Sequence, residues 1–252
     1  MNFVFDLDGT ILRGKSDKIE QELKVVLYKL SKVHDLYFAT GRDKLGLEKF
    51  FYYNPDWYKY FSKKYVYLDG GVTVIGNQTI TESPITLSPP PANVDFVLFY
   101  PENIVFSSRI ACYKYKLLFP NMNLVEFSEY YSISPKRFES KNILKVFLFP
   151  RKAKDFDEIK KYIVTYKDCS VEPCKPFGMF VIKGRVDKYF GIRKIIGASD
   201  YFMFGDGLND EMLFLNSVYS VNLGNKDRLK EISDKTIVLL KDLNEELEKW
   251  IK

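Results

Sequence analysis

The 252-residue sequence is poor in the side chains on which several classes of enzyme depend. It contains one histidine, His34, so a Ser-His-Asp or Cys-His mechanism would have to use this residue. His34 lies between a helical pattern and a strand pattern, which is typical of a structural loop or helix-end residue. The three cysteines favour reduced thiols, and Cys169 and Cys174 have no second ligand pair nearby to complete a zinc site. Any chemistry must therefore rest on other side chains.

Long apolar runs are also absent. No run approaches the roughly 18 residues that are needed to span a bilayer, and the N-terminal segment has no basic region before its apolar residues. The chain carries 38 basic and 33 acidic residues, a net charge of +5, which suits a small anionic substrate and falls short of a nucleic-acid-binding surface. We therefore expect a cytoplasmic protein without a signal peptide, and neither a nucleic acid nor a membrane as partner.

Strand and helix patterns alternate in the first 70 or so residues and again in the last 70 or so. Ser16 suits the N-cap of the first helix, and a later helix is predicted over 187–196. Alternating β and α elements predict a mostly parallel sheet with helices on both faces. We expect an α/β fold with a Rossmann-like, doubly wound core formed by residues 1–81 and 185–252.

The middle of the chain has a different pattern. Several prolines between 84 and 91 are followed by strand-like runs and one helix, so we interpret residues 82–184 as an inserted α+β cap domain. The insert holds 15 basic and 11 acidic residues, a net charge of +4, whereas the outer segments carry only +1. Its charge would help to hold an anionic substrate, although a chance imbalance on a solvated surface remains an alternative.

Polar and acidic clusters follow three of the predicted core strands. They are residues 6–10 (DLDGT), 40–42 (TGR) and 205–210 (GDGLND). Ligands of parallel α/β sheets bind outside the carboxyl ends of the strands, so we expect these clusters to converge at one edge. A calcium-binding EF-hand loop is excluded because Gly9 stands at its fourth position and not its sixth. A dinucleotide-binding fingerprint is excluded because Asp210 stands in place of the third glycine.

Four carboxylates would crowd together at this edge, those of Asp6, Asp8, Asp206 and Asp210. Like charges at short range raise one another's pKa and cost stability unless a cation neutralises them. Hard oxygen ligands in this number, with room for water, suit Mg²⁺. The sequence therefore predicts a magnesium site.

These clusters resemble the motifs of the haloacid dehalogenase superfamily. Residues 6–10 resemble its first motif, residues 40–42 its second and residues 205–210 its fourth, while Lys188 matches the lysine of the third. The order agrees, and a large insert between motifs two and three resembles the Cof-like branch of sugar and metabolite phosphatases. Lys188 is not followed by the usual glycine, which leaves Lys183 as a rival, but Lys183 lies in a predicted strand.

The resemblance implies a Mg²⁺-dependent phosphatase that hydrolyses a small phosphorylated metabolite, sugar phosphates first, through an aspartyl-phosphate. Asp6 would be the nucleophile and Asp8 the general acid and base, with Thr40 and Lys188 stabilising the transferring group. Substrate-binding residues would be Thr10, Gly41 and Arg42. The implied metal ligands are Asp6, the backbone carbonyl of Asp8, Asp206, Asn209 and Asp210.

Several alternatives stay open on the residues alone. Thr40 could be a helix N-cap, Arg42 a structural or surface ion-pair residue, and Asp69 a turn residue. A phosphomutase would need cap cations for a bisphosphate, but Arg109, Arg137 and Arg151 are scattered, and a non-enzymatic phosphometabolite-binding regulator would be expected to lack Asp6 or Asp8. We expect a monomer or homodimer, with substrate selectivity in the cap and residues 175–178 facing the substrate.

Overall fold

The computed structural model describes residues 1–14, 16–120, 122–133, 141–174 and 178–251. The chain forms two compact units. The first contains Met1–Arg42, Lys49–Ile80 and Asp187–Lys252, and the second contains Asp43–Glu48 and Thr81–Val186. The second unit thus includes a short segment, Asp43–Glu48, that lies far outside the predicted insert of 82–184.

Strands and helices alternate at both ends of the chain. The strands of the described residues are β1 (Asn2–Phe5), β2 (Asp35–Phe38), β3 (Lys64–Tyr67), β4 (Val72–Ile75), β5 (Gln78–Thr81), β6 (Val94–Phe99), β7 (Ile104–Phe106), β8 (Tyr131–Ile133), β9 (Lys145–Pro150), β10 (Cys169–Cys174), β11 (Met179–Gly184), β12 (Tyr201–Gly205), β13 (Tyr219–Asn222) and β14 (Lys235–Thr236). The helices are α1 (Gln21–Leu30), α2 (Lys44–Tyr53), α3 (Arg109–Leu118), α4 (Asp155–Ile163), α5 (Lys188–Ile196), α6 (Glu211–Leu215), α7 (Asp227–Ile232) and α8 (Leu240–Glu248).

A five-stranded parallel sheet forms the centre of the first unit, in the order β14-β13-β12-β1-β2. β1 lies between β12 and β2, with Phe5 opposite Phe204 on one side and Phe38 on the other. All three phenylalanines are fully buried. Strands that are covered on both faces read as continuous apolar runs, which is why the short segments around these residues are recognisable in the sequence.

The first helix begins later than its sequence pattern indicates. The predicted N-cap at Ser16 is wrong, because α1 starts at Gln21 and the Ser16 hydroxyl accepts a hydrogen bond from the Lys18 amide within the preceding loop. The Ile19 amide instead donates, at 2.9 Å, to the side-chain carbonyl of Asn54, the residue directly after α2. A tertiary hydrogen bond therefore holds the first apolar residue of the pattern outside the helix.

A smaller antiparallel sheet, β3-β4-β5, continues the first unit beyond β2. An isolated parallel bridge joins Ala39 to Val66, and the Thr40 amide donates to the Val66 carbonyl at 3.0 Å. The end of β3 therefore lies beside the end of β2. Helix α5 packs against β3 and β4 and brings its first residue, Lys188, toward the same edge.

The second unit is built on a six-stranded sheet in the order β10-β11-β9-β6-β7-β8, antiparallel except for the pair β7 and β8. Helix α3 was not predicted from the sequence, because only Ala111 and Tyr115 are buried on it and the apolar stripe is short. Tyr115 packs between the rings of Phe99 and Phe106, and its hydroxyl donates to Asp43 at 2.5 Å. This bond attaches the segment around Asp43 to the second unit.

The predicted fold class, a doubly wound parallel core with an inserted α+β domain, is confirmed. The core strands pair in parallel and are joined by connections that carry helices, whereas the insert forms a separate, mostly antiparallel sheet. Among the described residues, none of the helices has the length and apolar character that crossing a membrane would require.

The N-terminus of α5 offers a test of the packing that positions Lys188. The Asp187 carboxylate accepts a hydrogen bond from the Phe190 amide at 2.9 Å and so caps the helix. Replacement of an N-cap acceptor by alanine costs about 1 kcal/mol. We expect Asp187→Ala to lower the free energy of unfolding in urea by about this amount, and Asp187→Ser, which retains an acceptor, to recover most of it. Equal losses in both variants would contradict a capping role.

Candidate active site

The carboxyl ends of three adjacent strands bring the acidic clusters of the sequence together. β1 leads directly to Asp6, β2 to the segment 39–42, and β12 to Asp206. The Asp6 amide still donates to the Phe204 carbonyl of β12 at 2.9 Å, so the backbone of Asp6, the predicted nucleophile, is fixed by a hydrogen bond at the end of the sheet. The expected convergence at one edge follows from the strand order, because β1 is the central one of the three.

Lys188 reaches this edge from α5 and is almost completely buried, with 1% of its surface exposed. Its Nζ donates to Asp6 Oδ1 at 2.6 Å and to Asp210 Oδ1 at 2.7 Å. Burial by itself would lower the pKa of Lys188, but the charges of Asp210 and Asp6 outweigh it and raise the pKa above its ordinary value. Lys188 is therefore a permanent cation between two carboxylates.

Three carboxylates lie close enough to share one cation. Ligand oxygens of Asp6, Asp206 and Asp210 all lie within 4.8 Å of one another. Burial, with the nearby negative charges, raises the pKa of Asp6 well above its ordinary value and that of Asp206 to about 6. Carboxylates that are crowded in this way lose their mutual repulsion when a hard cation binds, so the donor set fits Mg²⁺.

Both carboxylate oxygens of Asp210 accept hydrogen bonds within this cluster. Oδ1 is bound to Lys188, and Oδ2 accepts from the backbone amides of Asp206 and Gly207 at 3.3 and 3.2 Å. The side chain is fully buried. Its carboxylate thus holds the loop after β12 in shape, and Asp206, which is less buried, is the carboxylate of that loop with more access to a bound ion.

Asp8 is bound to an arginine and not to Lys188. Its side chain is 57% exposed, and both oxygens bind the Arg42 guanidinium, with 2.8 Å from Nε to Oδ2 and 2.6 Å from Nη2 to Oδ1. Arg42 itself is mostly buried. Arg42 therefore forms an ion pair in this structure, as one of the alternatives for this residue expected. Its partner, Asp8, is the predicted general acid.

The remaining residues of the first two motifs are buried beside the carboxylates. Thr10 and Thr40 have no exposed surface, and the Thr40 hydroxyl accepts from the Arg42 amide at 3.2 Å. Thr40 does not cap α2, because Asp43 Oδ1 accepts from the Gly46 amide at 2.8 Å in that position.

Glycine at positions 9 and 41 is required by close approach. Gly9 has a φ of +78°, and a Cβ there would lie 2.2 Å from Asp206 Oδ2. A Cβ on Gly41 would lie 2.6 Å from Asp69 Oδ1. Any side chain at either position would displace a carboxylate of the site, so the loops after β1 and β2 depend on glycine here.

Asp69 is the site residue that the sequence analysis missed. Its φ of +55° is a left-handed conformation suited to a turn, yet its side chain is buried and accepts a hydrogen bond from Asn209 Nδ2 at 2.9 Å. Asp69 also helps to raise the pKa of Lys188. A signal for it is present in the sequence, since an acidic residue two positions after β3 lies beside Thr40 when the end of β3 pairs with the end of β2.

Two of the predictions concern residues of the inserted segment. Lys183 belongs to β11 in the second unit and pairs with Glu172 at 3.1 Å, so it does not take the place of Lys188. Of the segment proposed to face the substrate, residues 175–177 lie outside the described part of the chain.

Comparisons with known proteins agree with this geometry. No curated protein matches the sequence significantly. Among solved structures, the sugar phosphatase BT4131, described as a member of subclass IIB of the haloacid dehalogenase superfamily, is 18% identical with a TM-score of 0.70 over 100% of this chain and 99% of that one. TM0651 from Thermotoga maritima is 21% identical with a TM-score of 0.73 over 98% of this chain and 96% of that one. The phosphatase BT1666 from Bacteroides thetaiotaomicron is 17% identical with a TM-score of 0.68 over 99% and 94%, respectively.

At these identities the solved structures establish a shared fold and no more. The sequence itself matches the family model of the haloacid dehalogenase-like hydrolases over residues 3–243, which covers both units and every motif residue discussed above. The chain therefore belongs to the haloacid dehalogenase-like hydrolases.

Proposed function

We propose that this protein is a Mg²⁺-dependent phosphatase that hydrolyses a small phosphorylated metabolite, sugar phosphates first, through an aspartyl-phosphate on Asp6. The observation that carries the proposal is the buried cluster in which Lys188 binds both Asp6 and Asp210. An oxygen of Asp206 lies within 4.8 Å of an oxygen of each, close enough for one cation to bind all three carboxylates. The fold shared with the sugar phosphatase BT4131 supports the choice of substrate class.

Charge repulsion is the main obstacle to this reaction, because both a phosphate monoester and a carboxylate are anionic. Bound Mg²⁺, held by Asp6, Asp206 and the loop that Asp210 shapes, would neutralise charge on the phosphoryl oxygens. Lys188 adds a fixed positive charge beside Asp6. Because Lys188 is buried, little water screens its attraction for the phosphoryl oxygens. Thr40 is suited to donate its hydroxyl hydrogen to a phosphoryl oxygen.

The covalent steps balance with the two aspartates alone. Asp8 first takes up a proton from water, which loosens its ion pair with Arg42. An oxygen of Asp6 then forms a bond to phosphorus as the ester bond breaks, and Asp8 donates that proton to the departing alkoxide. Asp8, now a carboxylate, then accepts a proton from water as that water attacks phosphorus. The Asp6–phosphorus bond breaks, inorganic phosphate leaves, and both carboxyl groups return to the states they had before Asp6 attacked phosphorus.

We further propose that the second unit, with most of the excess positive charge in the sequence, selects the substrate. A phosphomutase would instead return the phosphoryl group to the sugar and would need cations to hold a bisphosphate. Arg151 is bound by the buried carboxylate of Asp95 through Nε and Nη2, at 3.1 and 3.0 Å, which leaves it poorly suited to that task. Arg137 lies outside the described residues.

Substitution of the two aspartates tests the mechanism. We expect Asp6→Asn, which is nearly isosteric, to abolish release of inorganic phosphate, and Asp8→Asn to lower turnover about 10²–10⁴-fold, as loss of general acid–base catalysis does. The measurement is a phosphate-release assay across a panel of phosphorylated metabolites, with an unfolding curve for each variant. Full activity of Asp6→Asn would refute the covalent mechanism, and phosphoryl transfer to a second sugar without phosphate release would indicate the mutase.

The dependence of Mg²⁺ binding on pH tests the metal site. The pKa of Asp206 is raised from 3.8 to about 6, chiefly by burial and by Asp210, so a proton competes with the cation below that pH. The pKa of Asp6, another ligand of the proposed site, is raised as well. We expect the dissociation constant for Mg²⁺, measured by calorimetry, to rise as the pH falls through 6, because protons compete with the cation for both carboxylates.

Two variants control this titration. Asp206→Asn should weaken Mg²⁺ binding and flatten its pH dependence. Asp35→Asn, which removes an exposed carboxylate at the amino end of β2, should leave both unchanged.

Turnover should stop in excess chelator, return with Mg²⁺ or Mn²⁺, and be inhibited by Ca²⁺, whose looser coordination shell misplaces the nucleophile. Undiminished activity in excess chelator would contradict the site.

A further inference from the structure

A second carboxylate lies behind Arg42, on the loop between β1 and α1. Arg42 Nη2 donates to Asp17 Oδ1 at 2.7 Å, while the same nitrogen donates to Asp8 Oδ1 at 2.6 Å. The other oxygen of Asp17 binds Lys49 Nζ of α2 at 2.5 Å. Four charges of alternating sign therefore run inward from the surface, in the order Asp8, Arg42, Asp17 and Lys49.

Burial increases along this series. The side chain of Asp8 is 57% exposed, those of Arg42 and Asp17 are 13% and 12% exposed, and that of Lys49 is 5% exposed. Although burial alone would raise the pKa of Asp17, its bonds to Lys49 and Arg42 hold the pKa below its ordinary value. Asp17 is therefore anionic at neutral pH and binds both cations as a charged acceptor.

The backbone around Asp17 is fixed as well. Its carbonyl accepts from Asn54 Nδ2 at 2.6 Å, and Asn54, which is fully buried, also binds the Ile19 amide. The side chain of Asn54, the residue after α2, thus holds the loop backbone at Asp17 and at Ile19. By contrast, Asp8 is the most exposed member of the series, and its direction depends on where the guanidinium lies.

We propose that Asp17 is a positioning residue for catalysis: it fixes the guanidinium of Arg42 so that Nε and Nη2 face Asp8 and hold the Asp8 carboxyl in one orientation. An arginine side chain has many rotamers, and a second carboxylate bound to Nη2 removes most of them before substrate binds. The inference rests on the proposed role of Asp8 as general acid. It adds a residue, Asp17, that makes no contact with Asp8 itself.

The identity of the leaving group separates positioning from mere stability. Release of an alkoxide needs a proton from Asp8, whereas p-nitrophenolate is a stable anion that departs without one. The ratio kcat/KM covers the steps up to departure of the leaving group, so the later role of Asp8 as a base toward water does not enter it. Loss of a correctly placed Asp8 should therefore lower kcat/KM for an alkyl ester and spare that for p-nitrophenyl phosphate.

The experiment compares kcat/KM for glycerol 2-phosphate and p-nitrophenyl phosphate in the full-length protein with Mg²⁺. Removal of the Asp17 carboxylate alone would leave the buried Lys49 without this partner, so both variants also carry Lys49→Met. The main variant is Asp17→Ala/Lys49→Met, and the conservative one is Asp17→Asn/Lys49→Met. We expect the alanine variant to lose about 10–100-fold toward glycerol 2-phosphate and less than about threefold toward p-nitrophenyl phosphate, since small misplacement of a catalytic group costs up to about 10²-fold. The asparagine variant, which keeps an acceptor for Arg42, should recover most of the loss.

Two further variants make the result decisive. Glu246→Gln removes another buried acid of the first unit, one that binds Lys235 and Lys249 far along the chain from the motifs, and it should lower the free energy of unfolding without changing the ratio between the two esters. Asp8→Asn should show the largest discrimination. If Asp8→Asn discriminates but the Asp17 variants lose equally toward both esters or toward neither, the positioning role is overturned and the proposed function stands. If Asp8→Asn fails to discriminate, the assignment of Asp8 is overturned first.

Discussion

The contact between Lys188 and the two carboxylates of Asp6 and Asp210 is the interaction on which the rest of the site depends. A buried lysine is stable only when its charge is compensated, and buried carboxylates in contact are stable only beside a cation. Each of the three groups therefore requires the other two. Because they come from β1, α5 and the loop after β12, this mutual requirement fixes three separate elements relative to one another.

Alternating charges also organise the outer part of the site, where the side chains are more exposed to solvent. Arg42 lies between Asp8 and Asp17 as Lys188 lies between Asp6 and Asp210, but here one carboxylate faces solvent. The consequences differ. The side chains of the inner cluster are almost completely buried, which favours a fixed geometry, whereas Asp8 in the outer one remains accessible to water. A single edge of one sheet thus presents two aspartates two residues apart in quite different surroundings.

Glycine and a strained backbone allow these charges to approach. The loops after β1 and β2 pass so close to Asp206 and Asp69 that no Cβ fits at positions 9 and 41. Asp69 adopts a left-handed conformation and still buries its carboxylate against Asn209. Backbone strain of this kind persists where surrounding contacts overdetermine it, and it lies here at the edge that holds the acidic cluster.

The sequence by itself determined the elements whose signal is local. Short apolar runs that end in acidic or glycine-containing clusters defined β1, β2 and β12, and four motifs in the correct order indicated Asp6, Thr40, Lys188 and Asp206 before any packing was known.

Only the tertiary structure decided which partner each charge has. The bond from Asp8 to Arg42, the anchoring of Arg42 by Asp17, the burial of Asp69 and the start of α1 beyond Ser16 all depend on residues that are distant in sequence. Helix α3 and the assignment of Asp43 to the second unit were likewise beyond the sequence, because a short apolar stripe and one tyrosine hydroxyl establish them through contacts across the fold. Local patterns encode which face of an element is buried, whereas the pairing of charges is a property of the positions that the whole chain reaches when it folds.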